Sequence, residues 1–448
     1  MGILQQIRKW VYNMGSQRNI NIFETNNKIL PNEELLKYKN LYENKADWIK
    51  GDIRSLNLCK STMQEITKAS LSEYKLKCDN ADIQDICDEI SKIKYNFITK
   101  LGVYGNVLIR PYISGKYFGF SLFDANSFNV EFDAYGNVIE AVIYNKNKKK
   151  DKSNNSNIYY TLVETHTYYD NYINDNSAHV IRYQLFKSST EDYLGKEIEL
   201  TELNDYANLS PEIIIEGVDR NLCVFAPLDN TEYFIGKSYF ENAYDLFEDA
   251  DKQYSSVLWE YKGGELAIDA DEALFRKEKN ILSNKVEYKL PEGRERLYRT
   301  VSQANIVGDN KLPMNVFAPT LRDSSYWQGL NNIKRNIELT LGLSYGVISE
   351  PTSIAMTATE IVSSKQRYYT TIRNFQNILI CAFTEAIQNM IVMLNALDRN
   401  IPEDYDLQFN FDDGILTTTK EKVDELAVLL NNNIITVEEA RQNYFEKF

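Results

Sequence analysis

The sequence predicts an α+β chain, mainly helical with one antiparallel β region, on three observations. Apolar residues recur at three-to-four spacing in segments before 102, from 238 to 261, from 323 to 341 and from 357 to 396. Short aromatic and β-branched runs broken by Gly, Asn and Asp fill the stretch from 102 to 186. At 448 residues with 43% hydrophobic side chains, the chain supports more than one core, and two to four structural units are expected.

From the start, Ile3, Leu4, Ile7, Trp10 and Val11 form one apolar stripe flanked by Arg8 and Lys9, which suits a short docking helix more than a membrane-surface helix. A polar link from Asn13 to Asn27 leads to a helix from about Asn32, with Leu35, Leu36, Leu41, Tyr42 and Trp48. Another helix is expected over Lys60 to Tyr74. A third starts at Ala81, where Ile83, Ile86, Cys87, Ile90, Phe97 and Leu101 hold helical spacing. Strands are expected at 118–123, 129–132, 138–144, 158–167 and 180–186, with Asp133 to Asn137 as the turn between the second and third. The lysine-rich stretch from Asn145 to Asn157 has nothing to bury and reads as a solvated hairpin tip or a disordered loop.

Ser238 and Glu241 form a capping box that opens a helix with Phe240, Tyr244, Phe247, Tyr254, Val257, Leu258 and Tyr261 on its apolar face. Gly263-Gly264 ends it. Along it Glu241, Asp245, Glu248, Asp249, Asp251 and Glu260 stand against Lys252 alone. From Ala273 to Lys311 the balance reverses, with nine Lys and Arg against five acids. A further helix from about Asp323 turns Tyr326, Leu330, Ile333, Ile337 and Leu341 inward and Lys334 and Arg335 outward. Two Gly and a Pro from Gly342 to Met356 make 343–356 a turn-rich loop. A capping box, Thr357-Ala-Thr-Glu360, then opens a long uninterrupted helix through Ile361, Tyr368, Ile372, Phe375, Leu379, Phe383, Ile387, Met390 and Leu394, a rod of about 55 Å. Leu407 to Phe411 resembles an edge strand, and 423–430 and 437–444 read as short closing helices.

Composition narrows the function. A net charge of −14 and a pI near 4.9 argue against tight, sequence-independent DNA binding, whereas an acidic wall beside DNA keeps it from sticking. Cys59, Cys78, Cys87, Cys223 and Cys381 show no C-x-x-C spacing and are expected to be reduced, buried thiols. No secretory signal, lipidation signal or apolar run of about 18 residues is evident, so cytoplasmic synthesis without a membrane partner is expected. Gly236-Lys-Ser238 closes a phosphate-loop pattern, but Thr231 stands where its first Gly belongs and bulky residues fill the loop. With only His166 and His179, a triad or His-rich metal centre has little to draw on, and His166 reads as structural. Acidic neighbours at Asp249/Asp251, Asp269/Asp271/Glu272 and Asp412/Asp413 are expected by chance among 64 acids. No catalytic, cofactor or metal residue is therefore expected. A metal-dependent nuclease or nucleotide hydrolase, using Asp412 or Lys237, is the alternative from another class.

Four stretches carry a resemblance: Phe123 to Phe128 with Asp133 to Ala141; Tyr159 to His166; Gly236 to Tyr244 with Asp251; and Thr357 to Ile361. In this order, over roughly 30 to 445, the chain resembles the portal proteins of tailed bacteriophages, in the branch common among phages of Gram-positive bacteria. The resemblance implies a non-enzymatic ring, typically of twelve subunits, at one vertex of the virion head. Double-stranded DNA would pass through it during packaging and ejection. It also implies docking of the terminase large subunit, a head-completion adaptor, and scaffold and major capsid proteins. Its divisions would be an arm at 1–29, a wing at 30–236, stem helices at 237–262 and 323–342, and a clip at 263–322. A tunnel loop at 343–356, a long wing helix at 357–398 and a short crown at 399–448 would follow. Expected channel residues are Ser344, Tyr345, Glu350, Thr352, Ser353 and Met356 in the loop, and Glu241, Asp245, Glu248, Asp249, Lys334 and Arg335 on the stem. Arg294, Arg296, Tyr298 and Arg299 are expected at the clip docking surface. Another virion component, such as an adaptor, is the nearer alternative.

Overall fold

The structure is a computed structural model. It describes residues 33–150, 156–173, 176–228, 234–264, 320–350, 358–402, 404–411 and 436, and short strands at 17–19, 22–25, 28–31, 267–271, 277–279, 286–288, 298–301 and 314–317. The fold is α+β, and among the described strands pairing is antiparallel apart from one parallel pair. Two compact units divide the chain. The larger holds residues 1–47, 57–244 and 337–448, and the smaller holds 48–56 and 245–336.

The larger unit opens with β1 (Gln17–Asn19), β2 (Ile22–Thr25) and β3 (Lys28–Pro31), so the expected polar link carries strands, β1 pairing with β7 (Phe128–Phe132). Helices α1 (Glu33–Tyr42) and α2 (Leu58–Ser70), strand β4 (Lys75–Lys77), and helices α3 (Ala81–Ser91) and α4 (Lys94–Tyr104) follow. Trp48 does not belong to α1: the chain leaves the helix at Asn44, in the left-handed region at φ 62°, and Trp48 lies in the smaller unit. The expected third helix is two helices. At their junction the Ser91 hydroxyl bonds back to Cys87 O at 2.6 Å, and Lys92 and Ile93 close tighter three-residue turns, which ends the regular ladder. The Asn80 side chain caps α3 by accepting from the N–H groups of Asp82 and Ile83.

Strands β5 (Asn106–Ser114) and β6 (Tyr117–Asp124) form a hairpin extended by β13 (Val224–Pro227). Beside β7, strands β8 (Val138–Lys150), β9 (Asn157–Ile173) and β10 (Asn176–Ser188) continue the main sheet. Both β11 (Lys196–Ile198) and β12 (Glu212–Glu216) pair with the outer edge of β10. Asp133 builds the β7–β8 turn by accepting from the N–H groups of Tyr135 and Asn137 at 2.8 Å. The lysine-rich stretch is not simply a tip, because β8 and β9 stay paired as far as Lys150 and Asn157. There Lys149 meets Asp205 at 2.7 Å, and Lys146 donates to Glu191 O.

Helix α7 (Ala358–Asn395) is 38 residues long and supplies the core of this unit. Phe375, Leu379, Phe383, Ile387 and Met390 are buried against α2, α3, α4, β5 and β13, with Phe97 edge-on to Phe383 at 5.4 Å. Its window from Lys365 to Asn395 is long and apolar enough to cross a membrane, contrary to the expectation that no run approached that length. Burial of 56% of its most apolar 18-residue stretch explains the composition. The last strand, β19 (Gln408–Asn410), pairs with β4, as expected of an edge strand. Both the expected N-terminal docking helix and the closing helices after 411 fall outside the described residues.

In the smaller unit α5 (Tyr244–Gly263) and α6 (Asp323–Thr340) flank the strands β14 (Ala267–Asp271), β15 (Lys277–Lys279), β16 (Val286–Tyr288), β17 (Tyr298–Val301) and β18 (Met314–Phe317). Helix α5 begins later than its capping box suggests. Ser238 Oγ accepts from Phe240 N and donates to Gly102 O, and Glu241 to Ala243 form a 3-10 turn before the α-helix starts at Tyr244. Three cysteines are buried as expected, but Cys78 is half-buried and Cys381 exposed.

Candidate functional site

In the larger unit, the described part of the loop after α6 is organised by one carboxylate. Glu338 is fully buried in the last turns of α6. Its Oε1 accepts from the backbone N–H groups of Gly346 (3.1 Å), Ile348 (2.8 Å) and Ser349 (2.9 Å), and its Oε2 accepts from Ser349 Oγ (2.7 Å). A carboxylate with this many donors is strongly held, because charge-assisted bonds are roughly twice as strong as neutral ones. The same loop is tied elsewhere: Thr371 Oγ1 on α7 donates to Gly342 O, Tyr239 OH donates to Leu341 O, and the Arg367 guanidinium lies 5.9 Å from the Tyr345 ring centre. Ser344 and Tyr345 are half-buried and Glu350 is exposed. Thr352, Ser353 and Met356 lie outside the described residues, as does Thr357 of the expected capping box.

In the smaller unit α5 and α6 run antiparallel. Arg322 forks onto Glu260, Gln253 donates to Tyr326 O at 3.1 Å, and Trp327 Nε1 donates to Tyr261 OH at 3.0 Å. The Arg322 guanidinium holds the Glu260 carboxyl below its ordinary range. Segment 48–56 covers another side of α5. Asp251 accepts from Trp48 Nε1 (3.0 Å) and Leu56 N (2.8 Å), and Ser255 Oγ accepts from Arg54 N (2.8 Å). Asp251, counted in the sequence as one more carboxylate of an acidic rod, is therefore a buried structural clamp. Burial raises its pKa, and the bonds from Trp48 and Leu56 oppose the rise.

At 100° per residue, these contacts fix the remaining faces of the hairpin. Exposed Asp245 and Asp249 share one side with exposed Ser325, Asn332 and Asn336 of α6. Lys252 borders this side with its charge offset by Glu248 at 2.6 Å. Lys334 lies with Trp327 on the opposite side, and Arg335 is on the α6 face turned away from α5. Glu241 precedes the helix, paired to Lys237 at 3.2 Å. The six expected stem residues thus do not converge on one face, and only Asp245 and Asp249 occupy the acidic side. At the expected clip surface, Arg294 and Arg296 lie outside the described residues, while Tyr298 and Arg299 begin β17, which pairs in parallel with β14.

The two histidines meet in the main sheet. His166 Nδ1 and His179 Nε2 are 3.0 Å apart, and His166 Nε2 is 2.7 Å from Glu164 Oε1, whose other oxygen pairs with Arg110. Burial opposes the His166 charge, but Cys223 and Glu164 outweigh it and raise its pKa to about 9. At His179 burial pushes the pKa down, and the His166 charge adds to that. Burial alone would raise Glu164, yet the His166 and Arg110 contacts hold it below the usual carboxylate range. A depressed carboxylate stabilises the fold above its unfolded pKa near 4.5, and this contribution is lost as pH falls through the folded value. Thermal melts should therefore show the larger unit weakening on acidification below about pH 4.5. Glu164→Gln should flatten that acid limb while lowering stability at pH 7.

The phosphate-loop reading of Gly236 fails in the structure as well, since Gly236 N donates to Asn106 Oδ1 at 2.7 Å and Lys237 is engaged with Glu241. Among the described residues, no group of three or more His, Cys, Asp or Glu could hold a metal ion. No family model and no curated protein matches the chain. Two solved structures are similar over most of their length. One is the neck of a native gene transfer agent particle computed with C12 symmetry, at 9% identity and a TM-score of 0.46, covering 92% of this chain and 93% of the other. The second is a virion of a native gene transfer agent particle, at 9% identity, a TM-score of 0.43 and the same coverage.

Proposed function

We propose that the chain is a portal subunit: a non-enzymatic protein that assembles as a ring at the vertex of a phage-type head and conducts double-stranded DNA. The observation that carries this reading is the acidic side of the α5–α6 hairpin. Asp245, Asp249, Ser325, Asn332 and Asn336 present short polar and anionic groups, and the one bordering cation, Lys252, is neutralised by Glu248. A conduit needs such a wall, because clustered cations would bind phosphate. The wall repels the duplex and lets it slide.

In this reading α5 and α6 are the stem, the residues between them the clip, 343–356 the loop at the constriction, and α7 the long helix of the wing. The terminase large subunit and a head-completion adaptor would dock on the clip, and scaffold and major capsid proteins on the wing. Electron microscopy of the purified chain, alone and co-expressed with its scaffold, is expected to show rings with an open centre. Monomers under all assembly conditions would overturn the reading.

A further inference from the structure

The main sheet ends on an open aliphatic edge. In β12, Ile213 and Ile214 are 36% and 39% exposed, the only isoleucines so exposed among the described residues. The strand is anchored from behind, since Ile215 packs against the cluster of Val218, Leu222 and Met393. Among the described strands β12 pairs with β10 alone. Its two ends set the phase of that pairing: Tyr183 N donates to Pro211 O, and Gly217 N donates to Ser177 O, both at 2.9 Å. Hydrogen-bonded pairs alternate along an antiparallel ladder, so Ile213 and Ile215 also turn their N–H and C=O groups toward β10. Glu212, Ile214 and Glu216 turn theirs to the open side. There the Ser210 hydroxyl donates to Glu212 O at 2.7 Å, which leaves the N–H and C=O groups of Ile214 and Glu216 facing outward.

The flanks select the occupant. Exposed Glu212 and Glu216 share a face with Ile214, one at each end of the strand. Arg182 pairs with Glu212 at 2.8 Å, whereas Glu216 makes no ion pair among the described residues. From 191 to 216 eight acids stand against Lys196 alone. A second copy is a poor occupant: an antiparallel β12 centred on Ile214 sets Glu212 opposite Glu216 at both ends, and like charges directly opposite destabilise a sheet. We propose that the open edge of β12 binds an extended segment of another protein by strand addition, a segment with basic residues two places before and two places after an apolar one. The apolar residue exchanges two backbone bonds with Ile214. Main-chain bonds give such a contact its affinity, and alternate side chains give it specificity. The contact does not require a ring, so it stands or falls apart from the portal reading.

The test titrates the purified full chain into a fluorescein-labelled peptide with the core Lys-Thr-Ile-Thr-Lys, read by anisotropy, beside a Glu-Thr-Ile-Thr-Glu control. The lysine peptide should bind at least tenfold more tightly at low salt, where surface charges are least screened, and Glu216→Lys should erase that preference. N-methylation of the central Ile removes the donor to Ile214 O and should weaken binding at least tenfold. N-methylation of either Thr, whose N–H points away from β12, should not. Hydrogen exchange at Ile214 and Glu216 should slow on binding, while Ile213 and Ile215, already bonded to β10, change little. No binding of the lysine peptide overturns the proposal, and its glutamates then keep the edge closed. Equal binding of the two kinds of N-methylated peptide also overturns it, because charge alone then holds the peptide. Self-association of the chain that Ile214→Lys abolishes puts a second copy on the edge and overturns it as well. Absence of rings in micrographs would remove the portal reading and leave this contact standing.

Discussion

Glu338→Ala should destabilise the larger unit by about 3 kcal/mol, since removing an acceptor from buried donors costs about 1–3 kcal/mol for each group left unpaired. Four donors converge on this carboxylate, and they do not count equally. Gly346 N is exposed and has Ser349 Oγ as a second acceptor at 3.3 Å, so its loss is partly relieved. Ser349 N is buried and Ile348 N half-buried, and both donate to Glu338 Oε1. Glu338→Gln keeps an oxygen for the three N–H groups and turns its amide toward the Ser349 hydroxyl, which can accept. Only the charge assistance is lost, about 1 kcal/mol. Denaturant titration of the two variants checks the ranking. Hydrogen exchange at Gly346, Ile348 and Ser349 should accelerate strongly in the alanine variant and little in the glutamine one. Equal losses in both variants would mean that charge, not the count of acceptors, holds the loop. If the loop lines the constriction, Glu338→Ala should also impair DNA retention while leaving rings intact.

The long helices were legible because periodicity is a local property. In α7, Phe375, Leu379, Phe383, Ile387 and Met390 announce the buried face with no knowledge of what covers it. The same holds for α6, where Leu330 and Ile337, with Leu341 just past its end, are buried as their spacing predicts. Strand β5 carries no such signal, because Val107, Leu108 and Ile109 make a short continuous apolar run followed by Pro111, a pattern without alternation. Strand β10 is legible, since Val180-Ile181 opens a short apolar and aromatic run that ends at Phe186.

The site residues divide along the same line. Asp245 and Asp249 could be placed on a helix from the sequence, but which side of a hairpin they occupy depends on α6, some eighty residues later. Asp251 differs from Asp249 by two positions and ends up buried, because its partners Trp48 and Leu56 lie about two hundred residues earlier. Glu338 left no sequence signal at all. Its partners are backbone N–H groups, which every residue but proline carries, so only the path of the loop shows that three of them converge. Carboxylates in this chain thus serve two opposite ends, buried clamps and an exposed wall, and composition counts them alike.

Gly236→Ala should be among the most damaging single changes in the larger unit, at about 3 kcal/mol or more. Gly236 does not sit at a positive φ, so backbone freedom is not the reason for glycine here. The reason is proximity: a Cβ at this position would run into the carbonyl oxygen of Gly105 and the backbone N and O of Leu228. None of these is the end of a flexible side chain that could swing aside. Relief requires separating two backbone segments joined by Leu228 N to Gly105 O at 2.7 Å, and by the paired bonds of the Asn106 amide to Gly236 N (2.7 Å) and O (2.8 Å). Gly115→Ala is the matching control. Gly115 has φ +62° with nothing within 4 Å of an added Cβ, so only left-handed strain of about 1–2 kcal/mol applies. Thermal or denaturant melts of the two variants should therefore separate crowding from conformational strain, with Gly236→Ala the worse. A milder effect at Gly236 than at Gly115 would show that the crossing of the 105 and 236 segments yields readily. The tight path into α5 would then rest on the Asn106 bonds alone.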